Sequence, residues 1–218
     1  MAEIDIRGDI ISNDDKWIYE WLDWDSTCPK DIQQAIANKP AGEILTVLIN
    51  SGGGSVMAGQ EIYSLLYGRD DVEIKILSMA GSAAGIIAMA NHCQISPVAM
   101  IMIHNVQMSG ARGDYHDMQK NVEILKQMNS SLANAFVKKT GKSREEILRL
   151  MDRETWLTAN QCLEMGFVDG IIEGNVQYTN DTFGLRLTDE VRERVIREKE
   201  KREELKNELL KDLDDYGV

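Results

Sequence analysis

Residues Ile44 to Asn50 read ILTVLIN, a nearly unbroken apolar run, and Ser51-Gly52-Gly53-Gly54-Ser55 follows at once. A strand apolar on both faces must be covered on both, which is the situation of a parallel strand inside an α/β fold. A helical pattern through Ile62, Leu65 and Leu66 comes next, then a second buried-strand run from Val72 to Leu77. Strand, helix, strand in this order predicts parallel βαβ units.

The remaining segments extend the pattern. Glu3 to Arg7 alternates apolar and polar residues as a short strand does. Asn13 or Asp14 can cap a helix carrying Trp17, Ile18, Trp21 and Leu22 on one side, and Lys30 to Asn38 reads as a second short helix. Gly81 to Asn91 is small and apolar, consistent with a buried helix. Short strands are expected around Gln94 to Ser96 and Ala99 to His104. Gln107 to Gly113 reads as a loop or an exposed strand. Asp114 to Lys139 is one long helical pattern with Met118, Val122, Leu125 and Met128 on a face. Ser143-Arg144-Glu145-Glu146 is a capping box, Thr158 caps a short helix to Gly166, and Phe167 to Ile172 reads as a last strand.

Charge bounds the partners. The 218 residues hold 24 basic against 36 acidic side chains, a formal charge of -12, so a phosphate-backbone partner is not expected. The stretch from Ile76 to Ala90, ended by Asn91 and His92, is rich in Gly, Ala and Ser and shorter than the roughly 20 residues of a membrane span. No apolar leader opens the chain. Cys28, Cys93 and Cys162 form no C-x-x-C pair and no metal-ligand spacing, so no metal or other cofactor is expected. A reducing cytoplasm suits them as small core residues.

Beyond about Val176 the sequence changes character. Thr188 can cap a helix running towards Asp212, with Glu190–Arg194, Glu193–Arg197 and Glu198–Arg202 as i,i+4 pairs. Val191 and Val195, then Leu205, Leu209 and Leu213, make a thin apolar stripe. Two readings stand: a helix that docks on another subunit, or a solvated and partly frayed one.

Three histidines limit any chemistry that needs an imidazole base. His116 lies in a polar stretch and reads as a solvated helix residue. His92 sits at an expected helix C-terminus, where capping accounts for it. His104 ends the buried strand Met100 to Ile103, where α/β folds place their sites, though a satisfied core histidine is the alternative. Ser82, in Ala80-Gly81-Ser82-Ala83-Ala84-Gly85, falls where a strand gives way to a helix, so its hydroxyl would lie by free helix amides. The plainer reading is that Gly81 and Gly85 form a small-residue packing face. G-x-S-x-G is absent. The Gly52-Gly53-Gly54 run is neither a P-loop nor G-x-G-x-x-G, and alone it indicates only a flexible βα turn able to offer amides to an anion.

In order, these motifs are Ile49-Asn50-Ser51-Gly52-Gly53-Gly54, Gly81-Ser82-Ala83-Ala84, Met102-Ile103-His104, and Glu154-Thr155-Trp156-Leu157-Thr158-Ala159 leading into Met165-Gly166-Phe167-Val168-Asp169. Together they resemble the proteolytic subunit of the Clp protease, and more closely the Clp-like head-maturation proteases of tailed phages and prophages. The resemblance covers roughly Ile4 to Ile172. It implies an α/β spiral of βαβ units, related to the crotonase fold, over residues 1–175, with a protruding helical handle at about 107–140. The charged extension at 176–218 would add a C-terminal helix.

The resemblance also implies roles. Ser82 matches the nucleophile of a serine endopeptidase and His104 its general base. The amides of Gly54 and Ala83 match the oxyanion hole. Gly53, Gln107 and Met108 fall where an extended polypeptide substrate binds, and Arg153 where subunits meet. It implies a homo-oligomer of heptameric rings that stack, acting on a capsid or scaffold protein in the cytoplasm of a bacterial host, with no nucleic acid, membrane or cofactor. Three departures stand out. The triad acid, usually Asp, is matched here by Glu154, with Asp152 as the fallback. The gating segment before the first strand is missing, so action without an ATP-driven unfoldase is expected. The tail runs past the family's usual end, as a tether to scaffold or capsid would. Two other functions stay open: an inactive ring-forming scaffold, and an acyl-CoA enzyme of the crotonase type.

Overall fold

The computed structural model describes residues 2–173. The chain divides into a compact unit, Met1–Gly174, and a second, Asn175–Val218. The expected tail helix lies outside the described residues.

Strand β1 (Ala2–Ile10) leads through a single 3-10 turn into helix α1 (Lys16–Leu22) and the two-residue strand β2 (Ser26–Thr27). Helix α2 (Pro29–Asn38) starts with proline at its first position, where no intrahelical N–H is needed. Then come β3 (Leu45–Gly54), α3 (Val56–Leu66), β4 (Val72–Gly81), α4 (Ala83–Ala88), β5 (Cys93–Ile95) and β6 (Met100–Ile103). Helix α5 (Tyr115–Thr140), α6 (Arg144–Asp152), β7 (Thr155–Thr158), α7 (Ala159–Glu164) and β8 (Gly170–Ile171) complete the unit. The sheet runs β2-β1-β3-β4-β5-β8, all parallel, so the expected α/β architecture of βαβ units is what forms.

The sheet forks at β4. Ile74 to Ile76 pair with β5, whereas Met79 to Gly81 pair with β6. Between the halves the β3–β4 register slips, from Ile49↔Ile76 to Ser51↔Ala80, and Leu77 and Ser78 turn outward. Strand β7 then adds to β6 antiparallel. The fork ends β4 and β6 side by side above one core, formed by Ile6, Ile49, Ile74, Ile76, Ile62 and Leu66 with the wholly buried α4.

Several elements differ from the sequence expectation. The glycine run is not a flexible turn: β3 continues through it because Gly53 and Gly54 pair with Asp9 and Ile10 of β1. Helix α4 is shorter than Gly81 to Asn91, since β4 extends to Gly81, and the last strand keeps only Gly170 and Ile171. Trp17 and Trp21 face solvent while Ile18 and Leu22 are half-buried, so α1 does not bury its aromatic residues. Ser143 accepts from the Glu146 amide, but the Glu146 carboxylate takes Lys142, so the capping box is only half formed. Helix α5 buries only Leu132, Ala133, Ala135 and Phe136; its N-terminal half projects. Among the described residues no helix is long and apolar enough to cross a membrane.

Candidate active site

The fork brings two polar groups together. Gly81 is in register with Met102, and the Ser82 amide donates to the Met102 carbonyl at 2.8 Å. Ser82 therefore leaves β4 just where His104 leaves β6, and His104 Nε2 lies 2.7 Å from Ser82 Oγ, a hydrogen bond. Ser82 has φ 51° and ψ -117°, a conformation that costs an L-residue about 1–3 kcal/mol. The strained strand-to-helix turn usually marked by G-x-S-x-G thus forms here with Gly81 before the serine and Ala83-Ala84 after it.

The glycines shape the roof of this turn. A Cβ on Gly53, at φ +106°, would stand 2.7 Å from both Ser82 Cβ and the Gly81 carbonyl oxygen. One on Gly54, at φ +148°, would stand 2.3 Å from the Ile10 carbonyl oxygen. Ser55 donates its amide to that same Ile10 oxygen, and Gly54 lines the cavity beside Ser82. Ala83 is the first residue of α4, and the Ser82 side chain does not cap the helix, so the Ala83 amide has no partner from that hydroxyl. The small-residue reading also holds: Gly85 packs against the Ala80 and Met102 carbonyls.

A cavity of about 170 Å³ opens beside the pair. Its wall is mainly apolar, from Val56, Ile86, Val106, Leu132, Phe136 and Met151, and Gln107 contributes an edge. Met108 is exposed and outside this lining. Leu132 and Phe136 on α5 carried no sequence signal because they are distant from the motifs, and Met151 on α6, although next to Asp152, read only as an apolar helix residue.

The acids come just before β7: Asp152 is the last residue of α6 and Glu154 lies in the turn between α6 and β7. The β6–β7 ladder runs Met100↔Thr158 to Ile103↔Thr155, so His104 comes directly after β6 and Glu154 directly before β7. Glu154 has φ 48°, a left-handed turn fixed by its amide bond to the Met151 carbonyl. Its Oε1 accepts from the Trp156 indole N–H at 3.4 Å. Asp152 accepts from Asn105 Nδ2 at 2.7 Å. Among the described residues, neither carboxylate is hydrogen-bonded to His104. Asn105 Oδ1 is buried without a partner. Sequence reasoning passed over Asn105 and Trp156; the signals available were a polar residue following His104 and an indole two residues from Glu154.

The other candidates lie elsewhere. His92 Nδ1 is 3.4 Å from Asp169, and His116 is exposed with its ring against Tyr115. Arg153 ends α6 and makes no ion pair among the described residues. Burial pushes the Cys93 and Cys162 thiols up to about 12, which keeps them from serving as thiolates near neutral pH. Among the described residues no three metal-ligating side chains are gathered.

A family model described as Clp protease matches residues 32–175. The chain belongs to the Clp protease family. The match includes the Ser82–His104 pair, the glycine run and Glu154, and leaves β1 and α1 outside. Relatives include the ATP-dependent Clp protease proteolytic subunit 2 of Tropheryma whipplei, 32% identical over 139 residues, 62% of this chain and 76% of the relative. The proteolytic subunit 1 of Chlamydia trachomatis is 30% identical over 144 residues, 60% of this chain and 71% of the relative.

Proposed function

We propose that this Clp-family chain is a serine endopeptidase, with Ser82 as nucleophile, His104 as general base and Glu154 as the acid. The observation that carries the reading is the 2.7 Å hydrogen bond between His104 Nε2 and a serine held in a strained turn under the glycine run. Ser82 Oγ attacks the scissile carbonyl carbon while its proton passes to His104 Nε2. The amides of Gly54 and Ala83 hold the oxyanion. The C–N bond then breaks, His104 returns the proton to the leaving amine, and water releases the acyl group by the same steps. Glu154 is favoured over Asp152 because it directly precedes Thr155, the partner of Ile103 next to His104, while Asp152 is engaged by Asn105. Substrate lies extended along Gly53 and the Gln107–Met108 edge, with an apolar side chain in the cavity.

The deciding experiment is fluorophosphonate labelling with peptide mapping, run beside Ser82→Ala. A single adduct at Ser82, absent in the variant, supports the reading. A catalytically silent scaffold of the same fold draws on the missing bond between His104 and either carboxylate. No adduct on an assembled oligomer favours it. The match to the Clp protease family leaves the acyl-CoA reading without support.

Assembly and source belong to the same proposal. The projecting half of α5, with Val122 and Ile124 exposed, and Arg153, without an ion pair among the described residues, serve ring contacts, in heptameric rings that stack. Arg153→Ala then lowers both sedimentation coefficient and turnover; an unchanged profile with unchanged turnover refutes that role. The motif resemblance favours a phage or prophage head-maturation enzyme cleaving capsid or scaffold protein, tested by incubating it with a purified phage capsid protein and asking whether cleavage appears and is lost in Ser82→Ala.

A further inference from the structure

On β7 the side chains alternate: Leu157 is 3% exposed and Trp156 is 49% exposed. Trp156 is therefore not placed to fill the core. Its indole nitrogen is a donor only, and the acceptor it finds is Glu154 Oε1. Glu154 itself has a longer and more mobile side chain than aspartate, on a left-handed backbone turn that redirects it at the end of the ladder. A carboxylate has two oxygens, so one held by an indole leaves the other for an imidazole N–H.

We propose that Trp156 is a positioning residue that holds Oε1 of Glu154 so that Oε2 can meet His104 Nδ1, an inference that rests on Glu154 being the triad acid. The indole thereby compensates for the extra methylene of glutamate. Aspartate at this position would not need it and would not reach it. The indole is already 3.4 Å from Oε1, and removing a methylene takes the carboxylate out of hydrogen-bond range.

The test is a double-mutant cycle read by peptide-hydrolysis kcat and KM. Trp156→Phe, and a chain with 3-benzothienylalanine at position 156 (sulfur in place of N–H, ring shape kept), are each made with Glu154 and with Glu154→Asp. Both changes are expected to lower kcat about five- to tenfold with KM unchanged when Glu154 is present, the size of one ordinary hydrogen bond, as suits a bond as long as 3.4 Å. Beside Glu154→Asp they should cause less than about a twofold further loss. Full kcat in the benzothienyl chain, or an equal loss in both backgrounds, overturns the proposal. Glu154→Gln separates the two claims. It should cost at least about 10²-fold, since an amide leaves the imidazole in the wrong tautomer. Full turnover in Glu154→Gln removes the acid assignment and this inference together. Impaired Glu154→Gln with an unaffected benzothienyl chain removes only the role of Trp156.

Discussion

Gly52 and Gly53 are adjacent, yet alanine at the two positions should have opposite effects. At Gly53 the backbone sits at φ +106°, a region that L-residues rarely occupy, and the strain alone is on the order of 1–3 kcal/mol. The new methyl would also stand 2.7 Å from the Gly81 carbonyl oxygen and from Ser82 Cβ, and 3.0 Å from the Ala83 nitrogen. Relieving those contacts moves the β4–α4 turn by roughly 0.5–1 Å, and a displacement of about 1 Å at reacting groups costs on the order of 10²-fold in rate. At Gly52 an added Cβ meets nothing within 4 Å and φ is not positive. Alanine there restricts the unfolded chain and should stabilise by about 0.4–1 kcal/mol. Urea unfolding monitored by tryptophan fluorescence gives the stabilities, and the rate of fluorophosphonate labelling at Ser82 gives the geometry. Gly53→Ala should lose about 2–4 kcal/mol and at least tenfold in labelling rate, while Gly52→Ala loses neither. Equal stability and labelling in the two variants would refute the contention that Gly53 forms the roof over Ser82.

Other outcomes test separate features. Ser82→Gly should be inactive yet more stable than Ser82→Ala by about 1–2 kcal/mol in thermal unfolding, because φ 51° and ψ -117° suit glycine and strain alanine. Burial pushes the Asp169 carboxyl up, but the Lys139 ammonium and the Cys93 amide outweigh it and hold the group below the usual carboxylate range. The stability it contributes is full above the unfolded value of about 3.9 and is lost as pH falls through the folded value, so Asp169→Asn should flatten the acid limb of a stability–pH curve below about pH 4. Cys28, Cys93 and Cys162 are all buried, and a native-state thiol titration at pH 8 should find them unreactive until denaturant is added.

Strand β4 alternates, with Glu73 and Lys75 between the buried Val72, Ile74 and Ile76; the parallel sheet was legible because β3 contains a run that is apolar on both faces, and such runs have few other folded uses. Strand β7 was not, because Thr155 to Thr158 is short and owes its conformation to pairing with β6. The glycine run misled for a related reason: local freedom suggested a turn, and pairing with β1 made it a strand. At the site, Ser82 and His104 were legible as polar residues at the ends of buried strands. The fork that brings those ends together was not, since it depends on a register slip of β4 between Ile76 and Ala80. Asn105, Trp156 and the cavity wall on α5 and α6 depend on side-chain directions that no pattern of apolar residues encodes.

The fork also separates the proposed acid from the Ser82–His104 pair in the fold. Ser82 and His104 ride on strands clamped in the core, so their separation changes only if the core opens. The proposed acid sits in the turn between α6 and β7, downstream of α5, whose outer half is unburied. Leu132 and Phe136 on the inner half of α5 line the cavity beside Ser82, so α5 joins the site both at its wall and, through α6, at the Glu154 turn. A ligand gripping the outer half of α5 is therefore expected to change turnover while Ser82 and His104 stay held by β4 and β6; an unchanged kcat with the ligand bound refutes this coupling.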